Sequence, residues 1–275
     1  MTDRGRGGVG TLVMVALLVG AVFAGHWLLT TGRPWLDGGP LADAGDAIRR
    51  QVSGFLNGDR PPPGADAQED RLLPKVPIPS DPGPHRFTRR ADGVPVTYSP
   101  CRRLEVVVNT RGAPPQAMGE VRDAVDLISR STGLSLTVTG RTGESYSVKR
   151  KPYQPERYGE RWAPILIAWS GDGSVREFGG DAVGLGGSMA IDVLGTPSSY
   201  VTGAVALDRE FFADPSHRSY LHEVLVHELG HVVGLDHVAD PGQIMWEGGL
   251  HGSGLGSGDL AGLAKAGRGP CTPDL

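Results

Sequence analysis

The stretch His227-Glu228-Leu229-Gly230-His231-Val232-Val233-Gly234-Leu235-Asp236-His237 decides the fold. Asp214-Pro215-Ser216 upstream has the form of a helix opening, a capping side chain followed by a proline whose missing N–H costs nothing. Tyr220, Leu221, Val224, Leu225, Leu229, Val232 and Val233 then follow at helical spacing. On that helix His227 and His231 stand one turn apart on one face, a geometry suited to two ligands of one zinc ion. Glu228 lies beside the first of them, placed to take a proton from water. Gly234 can adopt the positive φ that ends a helix and turns the chain, bringing His237 round as a third nitrogen ligand. Three protein ligands leave a fourth position for water, as in catalytic rather than structural zinc sites, and no cysteine lies near. With 8 histidines in 275 residues, three at these offsets would arise by chance roughly 0.007 times, so a helix carrying unrelated surface histidines is a poor rival.

This run resembles the long zinc-binding signature of the metzincins. Ile244-Met245-Trp246, a short loop beyond His237, stands where that family has its methionine turn, and the spacing is most like the matrixin branch. Position 247 is glutamate, so the extra tyrosine ligand of astacin-like and serralysin-like members is absent. Val238 and Trp246 differ from the serine and tyrosine usual in matrixins, and no proline follows. The resemblance implies an α+β fold with a twisted mixed sheet, a backing helix, an active-site helix and a small C-terminal subdomain. It implies one catalytic zinc on His227, His231 and His237, Glu228 as general base, and Met245 as structural floor. An edge strand within Gly184–Leu194 would pair with extended substrate. Asp172, Asp181 and Asp192 are candidate calcium ligands on the same ground, against the plainer reading that glycine-rich loops carry aspartate for their turns.

Around this centre the sequence from Val96 onward reads as a globular domain, 96–275. Leu104–Val108 is a strand; Pro114-Pro115 opens a helix with Ala117, Met118, Val121, Ala124, Val125 and Ile128 on one face, closed at Gly133. Leu134, Leu136 and Val138 alternate as in a half-buried strand, Pro164–Trp169 is a short apolar strand, and Met189–Leu194 and Val201–Leu207 are two more. Tyr146–Trp162, with Lys149, Arg150, Lys151 and Arg157, reads as a solvated loop. A helical stretch from Ser257 to Ala266 closes the domain. His222 falls off the ligand face, and His85, His217 and His251 read as exposed. Asp236 is either a partner of a ligand histidine or a solvated carboxylate at the helix end.

The N-terminal third differs. Arg4 and Arg6 precede an apolar run from Val9 to Leu29 with no charge before Arg33. Roughly 20 apolar residues span a bilayer as a helix, and a cleaved signal peptide begins the same way, with Val22-Phe23-Ala24 as a passable cleavage site. Continuation of the run past Ala24 favours an anchor with its N-terminus in the cytoplasm. Both readings of residues 1–31 place the rest outside the cytoplasm. Residues 32–95 hold 11 of the 22 prolines and read as an extended stalk or pro-segment, apart from a short amphipathic pattern over Asp43–Leu56. That segment holds no cysteine of the kind with which matrixins block their zinc, and Arg89-Arg90 is either a processing site or a solvated pair.

Cys101 and Cys271 lack CxxC spacing; in an oxidising compartment they read as one disulfide joining the ends of the domain. Closing so long a loop stabilises by about 4–5 kcal/mol in the chain-entropy picture. A net charge of −4, with no basic stripe, sets nucleic acid aside. The expectation is therefore an exported, membrane-associated or secreted zinc endopeptidase acting on protein or peptide. The alternatives are a zinc-binding envelope protein without proteolytic activity and a cell-wall peptide amidase.

Overall fold

Runs of apolar residues that face packed layers on both sides build the centre of the domain. The computed structural model describes residues 60–273 apart from 65–66, 172, 174, 180–181, 193–196 and 250–253. Residues 1–31, the Asp43–Leu56 pattern, Asp172, Asp181 and His251 lie outside the described residues. In chain order come four two-residue strands, β1 (Arg86–Phe87), β2 (Arg90–Ala91), β3 (Val94–Pro95) and β4 (Thr97–Tyr98), and then the longer β5 (Leu104–Asn109). Helix α1 (Ala117–Thr132) and strand β6 (Leu136–Arg141) follow, then a single turn α2 (Pro155–Tyr158) and β7 (Ile165–Ser170). The C-terminal half holds β8 (Gly184–Ile191), β9 (Ser199–Asp208), α3 (Arg209–Ala213), α4 (Leu221–Val232), β10 (Leu235–Asp236) and α5 (Ser257–Ala266).

The main sheet runs β4-β9-β7-β5-β6, all parallel, with β8 joined antiparallel to the other side of β9. Val106, Val108, Ile165, Ile167, Val205 and Leu207 pack with Val121, Val125 and Ile128 of α1 and Leu225 and Leu229 of α4 in one buried core. Val107, Leu166 and Ala168 fill a second, smaller cluster. The arrangement is the mixed sheet with helices expected of a matrixin-like domain. β8 is an edge strand, set back from the expected 189–194 because its glycine-rich first half pairs along β9 from Leu207 to Ser199.

Local signals set the element ends. The Gly133 N–H at φ 71° bonds Ser129 O and closes α1. Asp214 does cap the segment that follows it, accepting from the Ser216 N–H at 2.8 Å, but Pro215–Tyr220 winds as a 3-10 turn before α4 begins at Leu221. α1 likewise starts at Ala117, after the two prolines.

Two regions depart from the sequence reading. Residues 67–95 are not a free stalk: they run along the domain. Gln68 N bonds Cys101 O and Leu72 N bonds Pro100 O. Arg71 donates to the carbonyls of Gly133 and Gly267, and Arg268 to that of Val76. A proline-rich strand keeps its carbonyls while losing donors, so distant arginines supply the bonds that hold it. β1 then pairs with β10, and Thr88 N bonds Gly234 O. The second departure is 146–162. Arg150 is buried, paired with Glu144 at 2.9 Å, and also donates to Thr202 Oγ1 and Pro164 O. Its guanidinium anchors the loop to β9 because each of its nitrogens finds a partner, the condition for burying a charge.

The cysteines do form one disulfide, Cys101–Cys271, with Cα atoms 5.3 Å apart. Arg90 donates to Gly93 O within the β2–β3 hairpin, and Arg89 pairs with exposed Asp192 at 3.1 Å. Among the described residues no helix is long and apolar enough to cross a membrane.

Candidate metal centre

Helix α4 delivers His227 and His231 to one face, and the turn after it delivers His237. Gly234 makes that turn possible: its φ is 105°, and an added Cβ would meet the Tyr200 ring at 3.1 Å. The three Nε2 atoms converge, 3.2 Å apart for His227–His231 and 3.1 Å for each of the other pairs. His227 Nδ1 donates to Ile244 O at 2.7 Å, and His231 Nδ1 to Leu235 O at 2.9 Å. Carbonyls only accept, so each of these rings carries its proton on Nδ1 and, when neutral, presents a bare lone pair at Nε2. Burial lowers the pKa of His227, and burial together with the neighbouring His227 pushes His231 down to about 4. Both rings are therefore neutral at pH 7, the form that ligates metal.

Lone pairs facing one another at 3.2 Å do not hydrogen-bond; a cation between them satisfies them. Two nitrogens each about 2.05 Å from a tetrahedral zinc ion lie about 3.3 Å apart, close to what the rings show. The donor set fits zinc, and His227, His231 and His237 are the residues that would hold it.

Glu228 is 6% exposed, and burial pushes its carboxyl up to about 8, opposed by a hydrogen bond from the Gly186 N–H. The edge strand lies directly on the helix at this point. A Cβ on Gly186 would stand 2.2 Å from Glu228 O, and one on Gly184 2.6 Å from Glu228 Oε1. These glycines let the strand approach Glu228 closely, and sequence reading passed over them. A glycine in a strand signals close approach only once its neighbour is known.

Supporting contacts orient the histidine rings, as outer partners do at metal sites. Met245 Sδ sits under the helix, 2.5 Å from where a Cβ on Gly230 would be, so a side chain at position 230 would require Met245 to move. Asp259, at the start of α5, accepts from the backbone N–H groups of Ile244 (2.6 Å), Met245 (3.3 Å) and Gly256 (2.8 Å). Gln243 Oε1 in turn accepts from Gly258 and Asp259 N–H. The carbonyl that orients His227 is thus fixed from α5. The sequence cue was a carboxylate three residues after Gly256, the pattern of a helix N-terminus. β1 plays the matching part for His231, since Leu235, whose carbonyl holds that ring, is paired with Phe87.

Asp236 does not touch a ligand's Nδ1. One of its oxygens accepts from the His237 N–H at 2.9 Å and the other pairs with Arg86 at 3.3 Å, so it shapes the turn. His222 stays away from the centre, beside Glu120. His217 and His85 are half-buried rather than exposed: His217 stacks on Phe211 at 4.0 Å, and His85 Nε2 meets Lys265 Nζ at 2.8 Å. Asp192 is engaged with Arg89 and stands apart from the His227/His231/His237 cluster.

Residues 160–248 match the family model for matrixin. The matched segment takes in β7, β8, β9, α4 and the turn at Met245, and it agrees with the matrixin-like metzincin signature. It supports a metallopeptidase that acts on protein or peptide. No curated protein matches the chain.

Proposed function

We propose that the chain is a zinc-dependent endopeptidase in which His227, His231 and His237 hold one catalytic zinc and Glu228 is the general base. The convergence of three Nε2 atoms beside a buried carboxyl carries this reading. Zinc bound there would supply Lewis acidity toward the scissile carbonyl and toward water. Glu228 takes the proton from the attacking water and hands it to the departing amine. In the metal-free site burial raises its pKa to about 8, and a bound zinc cation would favour the ionised form that accepts the proton. The free edge of β8 offers backbone groups to an extended peptide. Met245, the residues around it and α5 form the small C-terminal subdomain with its methionine turn, under 96–275 as the catalytic unit.

The same reading includes export of the catalytic unit. The arginine-led apolar run of residues 1–31 and the Cys101–Cys271 bond support a catalytic unit outside the cytoplasm, anchored or secreted. Carbonate extraction of membranes separates the two forms: retention in the pellet marks an anchor.

The test is Glu228→Ala in the zinc-loaded chain on an unstructured protein substrate. Hydrolysis should fall by roughly 10²–10⁴-fold, with one zinc retained per chain. A mutant that cleaves as well as wild type removes Glu228 from the role. A wild type that binds one zinc and cleaves no peptide overturns the peptidase reading.

A further inference from the structure

The edge strand and the active-site helix touch at a second point. Ser188 Oγ donates to Val232 O at 2.7 Å, and Tyr98 OH, fully buried, lies 2.7 Å from the same Ser188 Oγ. Val232 is the last residue of α4, so its carbonyl is one of those a helix end leaves without an intrahelical partner. With the serine hydrogen committed to Val232, the tyrosine hydroxyl is the donor to Ser188. Gly203, the residue facing Ser188 across the β8–β9 ladder, leaves the room: a Cβ there would stand 2.6 Å from Ser188 Oγ and 3.0 Å from Tyr98 OH.

The spacing of the two contacts is matched. Gly186 meets Glu228, and Ser188 meets Val232. Two residues of strand advance about 6.7 Å, and four residues of helix rise about 6.0 Å, so strand and helix can run side by side through both points. Between them the strand is held at a fixed height along the Val224–Glu228–Val232 row of the helix. At Gly186 the backbones meet and the Gly186 N–H bonds the Glu228 carboxyl, and the Ser188–Val232 bond is a second polar tie one helical turn further on.

We propose that Ser188 is a positioning residue: its bond to Val232 O clamps the edge strand to the active-site helix and so sets the distance between the backbone groups offered to a peptide and the Glu228 carboxyl. This rests on the peptidase reading for its consequence and on the structure alone for the clamp. The substitution Ser188→Ala removes the bond, Ser188→Thr keeps a hydroxyl, and Ser199→Ala removes a comparable buried bond, Ser199 Oγ to Thr97 O at 2.9 Å, away from α4.

Two readouts on the full-length chain separate clamp from chemistry. Hydrogen exchange of the peptide covering residues 184–190 should quicken about fivefold in Ser188→Ala, and stay at the wild-type rate in Ser188→Thr and Ser199→Ala. On an unstructured protein substrate, kcat should fall about tenfold in Ser188→Ala with KM within about twofold, recover in Ser188→Thr, and hold in Ser199→Ala despite its lower Tm. Unchanged exchange in Ser188→Ala overturns the clamp, whatever the activity. Altered exchange with unchanged kcat, or an equal loss of kcat in Ser199→Ala, overturns the positioning role. Altered exchange in a protein that hydrolyses nothing keeps the clamp and discards the peptidase reading.

Discussion

Glu228 and Glu144 are buried to nearly the same degree, 6% and 7% exposed, yet their carboxyls are driven in opposite directions. Burial raises the pKa of both. At Glu144 four donors more than offset it. Arg150 gives one nitrogen to each oxygen (2.9 and 3.0 Å), Gln154 adds a third bond at 2.7 Å and Tyr158 a fourth at 2.7 Å. At Glu228 the single Gly186 N–H does not offset it. Donor number and charge, weighed against how strongly each group is desolvated, decide which buried carboxyl stays ionised. A saturated carboxylate holds structure, and an undersupplied one can trade a proton.

The widest separation between the two sites is in what their loss removes. Glu228→Ala should cut hydrolysis by roughly 10²–10⁴-fold and spare the fold, whereas Arg150→Met should spare kcat of the folded protein and cost about 3–5 kcal/mol, because it strands Glu144 as a buried charge without its cation. For a domain of this size that lowers Tm by roughly 10 °C in a calorimetric scan. If Arg150→Met melts within about 2 °C of wild type, the pair is not a structural anchor.

A smaller effect should appear in the pH dependence of the metal-free protein. A carboxyl raised from its ordinary value to about 8 makes the folded state hold a proton that the unfolded state has released. Its contribution is therefore complete below the ordinary carboxylate value and is lost as pH rises to about 8. Glu144, lowered, works the other way: its contribution is present above the ordinary value and lost on acidification through its folded pKa. In metal-free protein Glu228→Gln should remove the alkaline decline and melt a few °C above wild type at pH 9. Equal alkaline slopes for the two would show that burial does not hold the Glu228 proton. The smallest effect is expected from Tyr158→Phe, which removes one of four donors and should cost about 1.5 kcal/mol in a denaturant titration.

How much of this could be read beforehand follows from where the determining partners sit. His227, Glu228 and His231 were legible because a helix turns sequence offsets into positions in space, and Gly234 because a reversal after a helix needs its φ. β5, α1 and β7 were legible from apolar periodicity. Arg150 was not: among Lys149, Arg150 and Lys151 nothing local marks which one turns inward, and its partners Thr202, in β9, and Pro164 O, just before β7, lie further along the chain. Proline content made residues 67–95 extended but could not say against what they lie, since that depends on Arg268 and on carbonyls around 133 and 267. Asp259 and Ser188 were hidden for the same reason, because each acts on backbone groups far from it in sequence.

The Cys101–Cys271 bond has a mechanical consequence. Gly64 lies within 4 Å reach of Pro273 O, as a Cβ on it would be 3.9 Å away, and Gln68 is bonded to Cys101 O. The two ends of the described chain therefore leave the domain at the same place. A pull applied between residues 64 and 273 is borne by a short path through Gln68, Cys101 and Cys271. The helix and edge strand that pack together at Glu228 and Val232 lie inside the covalent ring and off that line, so tension on a tether at residue 60 would leave their spacing unloaded.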